Sequence, residues 1–274
     1  MSRYLKVTEF KGVTVLALAR PRQKNAFNLP LYIELTEALK DLSKSTSANS
    51  NAIVLTGEGD YYSSGNDLAN FSQLMHPRTM AAAAKKTCYE FVDSFVACRK
   101  PLVCAVNGPA IGISVTTLGL CDVRLCVPNA TFHTPFRALA QAPEGCSSFM
   151  FPKIVGDEMS HKLLEEGYRM TATEAKACNF IHDIVPIEAL LDRAIEEAAN
   201  PNLKRFVVQE EGLLAKLRSV NQHEVDVLEK AWVSRECFDA LSKYLLSRNK
   251  RGPASRLDGH GTVDALYDRM ISMQ

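Results

Sequence analysis

The chain has 274 residues, enough for one or two domains, and its 46% hydrophobic and 23% charged residues exclude disordered, collagenous and coiled-coil classes. Lys plus Arg number 32 against 31 for Asp plus Glu, so the basic excess that a nucleic-acid binder needs to neutralise phosphates is missing. The longest apolar runs, Leu102 to Val106 and Ile111 to Leu120, are too short or too interrupted to span a bilayer, which takes about 20 residues.

Val13 to Ala19 reads as an apolar strand ended by Arg20-Pro21, and Leu31, Leu35, Leu39 and Leu42 then recur at helical spacing through Asn28 to Leu42. Ala52 to Thr56 is a second strand, closed by Gly57-Glu58-Gly59-Asp60. Met80 to Cys98 follows as a long amphipathic helix with Tyr89, Val92 and Val96 on one face. Leu102 to Val106 is a third strand, closed by Asn107-Gly108-Pro109; a helical stretch begins near Gly112, and Asp122 to Val127 is a fourth strand. Short strands alternating with longer helices predict an α/β arrangement with largely parallel strands. After about residue 155 strand signals fade. Ala172 to Cys178, Ala189 to Ala199, Lys204 to Leu217 and His223 to Leu246 carry helical periodicity, and Asn221 followed by Glu224 has the spacing of a capping box at a helix start. The chain turns basic from Ser247 to Arg256 and breaks at Gly252-Pro253, which predicts a flexible tail. These changes divide the chain into a core at 1–200, a helical region at 201–257 and a tail at 258–274.

Eight cysteines without C-x-x-C spacing and six scattered histidines give no disulfide scaffold and no metal pattern, so no metal is expected. Cys98, Cys104, Cys121 and Cys126 read as small buried thiols. Met1 to Arg20 lacks a secretory h-region and transit-peptide character, and the chain is expected to start at or near its folded domain.

Unusual residue types gather in four loops, Arg20 to Asn28, Gly57 to Leu68, Asn107 to Thr116 and Thr134 to Ser148, at the strand ends where α/β proteins place ligands. Gly57-Glu58-Gly59 fails as a dinucleotide fingerprint because Tyr62 stands where a third glycine belongs, and Gly112-Ile-Ser-Val-Thr116 lacks the closing glycine of a nucleophile elbow. Gly65 suits a tight turn and Gly112 heads a helix. Either glycine simply makes a turn, or the amides after the two converge as an oxyanion hole. Glu144 stands in a stretch almost free of acidic groups: an exposed turn residue, or a carboxyl whose apolar surroundings raise its pKa toward general-base use. Asp67 competes as a base, but an Asp just after such a turn suits a backbone-bonding role, as does Asp122.

Taken together, Tyr62-Ser-Ser-Gly-Asn-Asp-Leu68, Ala105-Val-Asn-Gly-Pro-Ala-Ile-Gly112, Leu120-Cys-Asp122 and Gln141-Ala-Pro-Glu-Gly-Cys-Ser-Ser148 resemble the crotonase (enoyl-CoA hydratase/isomerase) superfamily over roughly residues 5 to 248, with Δ3,Δ2-enoyl-CoA isomerases the nearest group. The resemblance implies an α/β fold built as a spiral of ββα units, with a C-terminal helical region that builds a homotrimer or a dimer of trimers. It implies an acyl-CoA thioester as substrate and no separate cofactor. The thioester oxygen would sit between the backbone amides of Asn66 and Ile113. Arg20, Lys24, Asn25, Ala26, Ser64, Gly65, Asp67, Leu68, Gly112 and Pro135 would line the CoA and acyl positions, with Arg20, Arg22 and Lys24 near the nucleotide unless they are plain surface charges.

Hydratases of this superfamily hold water with two glutamates, and the matching positions here are Thr116 and Phe136. What remains is Glu144, at the position similar to the isomerase base, so the resemblance implies a proton shuttle converting 3-enoyl-CoA to trans-2-enoyl-CoA in a peroxisome or mitochondrion. The alternative is a catalytically silent CoA-binding or protein-binding module of the chromodomain-Y type, whose members carry Asp in place of Glu144. Ser255-Arg-Leu257 resembles a peroxisomal signal, but an internal one, upstream of the Ile271-Ser-Met-Gln274 end.

Overall fold

A computed structural model describes residues 4–45, 51–72 and 77–247. The chain begins with a hairpin of β1 (Leu5–Phe10) and β2 (Val13–Leu18). After Arg20-Pro21 it enters α1 (Leu29–Lys44), where the Asn28 side chain caps the first turn by accepting the Leu31 N–H at 3.0 Å. Leu31, Leu35 and Leu39 recur on one face of α1 and are buried. β3 (Ala52–Gly57), α2 (Pro77–Val96) and β4 (Leu102–Val106) continue the alternation. Next come β5 (Ala110–Ile111), α3 (Ile113–Thr116), β6 (Val123–Cys126) and β7 (Thr131–His133). Then follow α4 (Ser147–Val155), α5 (Asp157–Leu164), β8 (Arg169–Thr171), α6 (Ala172–Ala177) and β9 (Asp183–Ile184). The described chain ends in α7 (Ile187–Ala199), α8 (Phe206–Gln209), α9 (Leu213–Trp232) and α10 (Arg235–Ser247).

One sheet runs β1-β2-β3-β4-β6-β9, with only β1 antiparallel to its neighbour. A small sheet, β5-β7-β8, stands beside it. All five residues of β4 are buried, which is why its sequence is an unbroken apolar run rather than an alternating one. Helix α7 packs on β2, β3, β4 and β6, while α2 packs between α1 and α9. The parallel α/β core expected from the sequence is present, followed by a C-terminal helical region.

Five short strands lie outside the sequence expectations: β1, β5, β7, β8 and β9, the last two beyond residue 155. Two or three residues of β5, β7, β8 or β9 are too few to show a period of two. The helix expected from Gly112 is the single turn α3 followed by a 3₁₀ turn, Thr117–Leu120. Thr116 Oγ1 and Thr117 Oγ1 both reach the Ile113 carbonyl, at 3.2 and 2.8 Å, competing with a regular continuation. The helix expected over Lys204 to Leu217 is broken before Leu213, where Gly212 takes φ 79°. His223 to Leu246 is two helices, parted between Trp232 and Arg235, with Ser234 Oγ accepting the Cys237 N–H at 3.2 Å.

Asn221 and Glu224 do not start a helix. Both lie inside α9, 0% and 3% exposed, with side chains that bond other segments. On the apolar face of this region Val225, Leu228, Trp232, Phe238 and Leu241 are buried within the chain itself. The segment Ser247 to Arg256, the division at 258–274 and the Ser255-Arg-Leu257 tripeptide fall wholly or almost wholly outside the described residues.

A buried ion pair fastens the C-terminal region to the core. Arg205 Nη1 lies 3.2 Å from Asp122 Oδ2, with side chains 1% and 3% exposed. The remaining guanidinium donors go to the carbonyls of Phe95, Cys98 and Leu120.

Candidate active site

The site is built from strand-end loops stitched side by side. The Ile111 N–H donates to the Ser63 carbonyl at 3.0 Å and the Ser63 N–H to the Pro109 carbonyl at 3.3 Å, so the turns after β3 and β4 run together as a parallel bridge. Gly65 takes φ 79° there, and a Cβ on it would strike the Ile111 carbonyl oxygen. Two constraints, handedness and space, thus require glycine at this position. Gly112 takes φ 60° at the start of α3. Among the described residues, no backbone hydrogen bond takes up the N–H of Asn66 or of Ile113, and both residues line the same cavity.

That cavity, of about 220 Å³, is mostly apolar. Tyr32 from α1, Cys88 from α2, Leu139 beyond β7, Leu228 and Trp232 from α9 and Tyr244 from α10 close around it. Ser64, Gly65, Asn66, Leu68, Gly112, Ile113, Pro135 and Glu144 therefore meet at one place. The other named positions do not reach it. Arg20 donates from both Nη atoms to Asp67 Oδ2 at 3.1 Å and to the Ala26 carbonyl, so these three fix the loop to one another. Asn25 is buried and accepts the Arg20 N–H while donating to the carbonyls of Glu58 and Tyr61. Lys24 is exposed, with Nζ 4.5 Å from the centre of the Tyr61 ring, and its carbonyl accepts the Ser64 N–H at 2.9 Å.

Glu144 is 6% exposed. Its loop reverses through Gly145 and Cys146, at φ 72° and 57°, before α4 begins. A Cβ at Gly145 would come within 2.5 Å of Thr116 Oγ1, and that closeness brings α3 against the loop. Thr116 Oγ1 donates to Glu144 Oε1 at 2.9 Å, while Oε2 is buried with no hydrogen-bond partner among the described residues. Burial first, then the nearby Glu224 charge, push the Glu144 carboxyl up to about 8, and the Thr116 hydrogen bond opposes them. A buried, half-satisfied carboxyl facing an apolar cavity can take and return a proton.

Two participants escape a reading of the sequence. Thr116, noticed only as a lost glutamate, is the hydrogen-bond partner of Glu144. Glu224 lies behind the loop, on α9, and bonds Cys146 and Ser148. Among the described residues no group of three or more His, Cys, Asp or Glu could hold a metal ion, and no helix is long and apolar enough to cross a membrane.

A family profile described as enoyl-CoA hydratase/isomerase matches residues 8–229, and the chain belongs to that family. Enoyl-CoA delta isomerase 2 of Homo sapiens is 40% identical over 90% of this chain and 64% of its own length. Enoyl-CoA delta isomerase 3, peroxisomal, of Mus musculus is 36% identical over 91% of this chain and 80% of its length. A crystal structure of an enoyl-CoA hydratase/isomerase from Pseudoalteromonas atlantica T6c superposes with a TM-score of 0.79 at 25% identity, covering 89% of this chain and 98% of that one. The chain thus spans just under two thirds of the length of the human relative.

Proposed function

We propose that the protein is a Δ3,Δ2-enoyl-CoA isomerase. The observation that carries the reading is a single buried carboxyl, Glu144, in one apolar cavity with two unoccupied backbone amides. The thioester carbonyl of a 3-enoyl-CoA accepts the N–H groups of Asn66 and Ile113, which lowers the energy of negative charge on that oxygen. Glu144 removes a proton from C2, and the C2–H electron pair spreads over the thioester oxygen and the C3=C4 bond as a dienolate. The protonated Glu144 then returns the proton to C4, leaving a C2=C3 double bond. Atoms balance with one base, and the steps call on no metal or redox group.

Water addition needs a second acid/base group to hold and split a water, and Thr116 and Phe136 offer none. The apolar lining from Leu139, Leu228 and Trp232 suits an acyl chain, and exposed Lys24, whose carbonyl accepts the Ser64 N–H, is a cation suited to a CoA phosphate. The intact Glu144 favours enzyme over silent module. The name of the mouse relative supports a peroxisomal location, which microscopy of a tagged chain tests, and the family resemblance supports a homotrimer or dimer of trimers, which light scattering tests. The deciding experiment offers 3-hexenoyl-CoA and 3-decenoyl-CoA and follows the conjugated thioester, with crotonyl-CoA hydration as the control. Isomerisation with hydration far slower is expected; hydration at a matching rate, or binding without turnover, rejects the reading.

A further inference from the structure

The mechanism above leaves a second buried carboxylate unused. Glu224 Oε2 accepts the Cys146 N–H at 2.7 Å, across 78 residues of chain, and Oε1 accepts the Ser148 N–H at 2.9 Å and the Ser148 hydroxyl at 2.6 Å. These bonds grip the Glu144 turn just where Cys146, a non-glycine residue, takes φ 57°. Such a conformation persists only when its surroundings enforce it. The enforcing helix is itself anchored: Asn221, on the same α9, donates to the Tyr89 carbonyl of α2 at 3.1 Å.

The two carboxyls are unequal. Glu224 meets three donors, whereas Glu144 meets one and leaves Oε2 bare. In this buried setting the charge of Glu224 opposes ionisation of Glu144, and Glu224 has the donors that favour its own charged form. The other titratable groups facing them do not supply that charge. Burial pushes the Tyr32 hydroxyl of α1, the Cys88 thiol of α2 and the Cys146 thiol of the turn upward, keeping each neutral. Asp93 of α2 is paired with Arg218 and Asp67 with Arg20, while His223 adjoins Glu224 on α9.

We propose that Glu224 is the positioning residue for Glu144: it clamps the turn at residues 146 and 148, and its carboxyl, better supplied with donors, takes up negative charge ahead of Glu144. The inference rests on the isomerase reading. Its test measures kcat/KM and kcat for 3-hexenoyl-CoA across the neutral and alkaline range in the full chain, in Glu224→Gln and in Glu144→Gln. The rise of kcat/KM with pH is expected to move in Glu224→Gln to lower pH by on the order of one unit, with kcat reduced even at alkaline pH and KM little changed. Equal loss at every pH with the rise unmoved reduces Glu224 to a structural residue and overturns the proposal. Near-normal turnover by Glu144→Gln instead defeats the isomerase reading, whatever Glu224→Gln does. Should Glu224→Gln fail to fold, carboxyl NMR of the glutamate-labelled wild type, assigned with Glu144→Gln, decides. Glu224 ionising before Glu144 as pH rises supports the proposal, and the reverse order overturns it.

Discussion

Asp122 and Glu144 have opposite surroundings, although both are carboxylates buried near the ends of the same core. Asp122 accepts the N–H of Leu102 and of Phe206 at 2.7 Å each, and Arg205 lies 3.2 Å from both of its oxygens. Every lone pair it presents is used, and the result is a joint between β4, the start of β6 and the segment leading into α8. Among the described residues Glu144 has one donor, Thr116, and an oxygen with no partner. Completed hydrogen bonding makes a fastener; a deficit of it makes a group whose proton can be exchanged with a guest.

Replacing the reactive carboxyl gives the largest expected effect. Glu144→Gln keeps the volume of the side chain and removes the proton carrier, so isomerisation should fall roughly 10² to 10⁴-fold while CoA-ester binding persists. Steady-state assays beside equilibrium binding of a saturated acyl-CoA check both halves. Retained turnover would erase the contrast with Asp122 and move the search for a base elsewhere.

Asp122→Asn should act on folding instead. It strips the counter-charge from Arg205, whose side chain is 1% exposed, and breaking a buried pair on one side costs about 3–5 kcal/mol. Denaturant midpoints should drop accordingly, while kcat per folded molecule stays near normal. A variant of wild-type stability would mean that the three carbonyls around Arg205 satisfy it alone.

The two regions also differed in how legible they were. The Glu144 loop announced itself because a lone acidic residue interrupts an apolar stretch, and the Gly65 and Gly112 turns because glycine is needed where a backbone bends left-handed or passes close to another. Asp122 could be read as a backbone acceptor, yet Arg205 could not be named its partner, since 83 residues separate them and no local pattern links them. Glu224 was worse than silent: its spacing from Asn221 imitates a helix start, and only the packing of α9 against α2 and the 146–148 turn turns both side chains inward. Arg20 stayed open between a cation near the nucleotide and a plain surface charge, and its ion pair with Asp67, across 47 residues of chain, left no local pattern to read.

A further effect separates the regions by pH. Glu144, held near 8 against an ordinary 4.5, keeps its proton in the folded chain over a window in which the unfolded chain has lost it. The folded state binds more protons there, so stability falls as pH rises from about 4.5 through about 8, and Glu224, also raised by burial, adds in the same direction. Glu144→Gln removes that dependence and should gain on the order of 4 kcal/mol relative to wild type near pH 8. Wild-type activity should climb over the same alkaline limb on which stability declines. Parallel pH profiles of denaturation for wild type and variant would show that this carboxyl carries no such cost.

The smallest predicted effect probes the one hydrogen bond Glu144 has. Thr116 Oγ1 lies 2.9 Å from Glu144 Oε1 and 3.2 Å from the Ile113 carbonyl, and its single proton cannot serve both fully. When Glu144 is ionised the proton belongs to the carboxylate, and when Glu144 is protonated it is free to turn to the carbonyl. Thr116→Val therefore withdraws support from the ionised form alone: a hydrogen bond to a charged group is worth about 1.5–3 kcal/mol, enough to lower turnover by about tenfold near neutral pH. Because that bond holds the Glu144 pKa down, its loss should shift the rise of kcat/KM toward higher pH, opposite to the shift expected for Glu224→Gln. Thr116→Ser retains the hydroxyl and should restore both rate and profile. An unchanged profile in Thr116→Val would place the hydroxyl proton on Ile113 throughout, leaving Glu144 with no donor among the described residues and its charge to be stabilised by its guest.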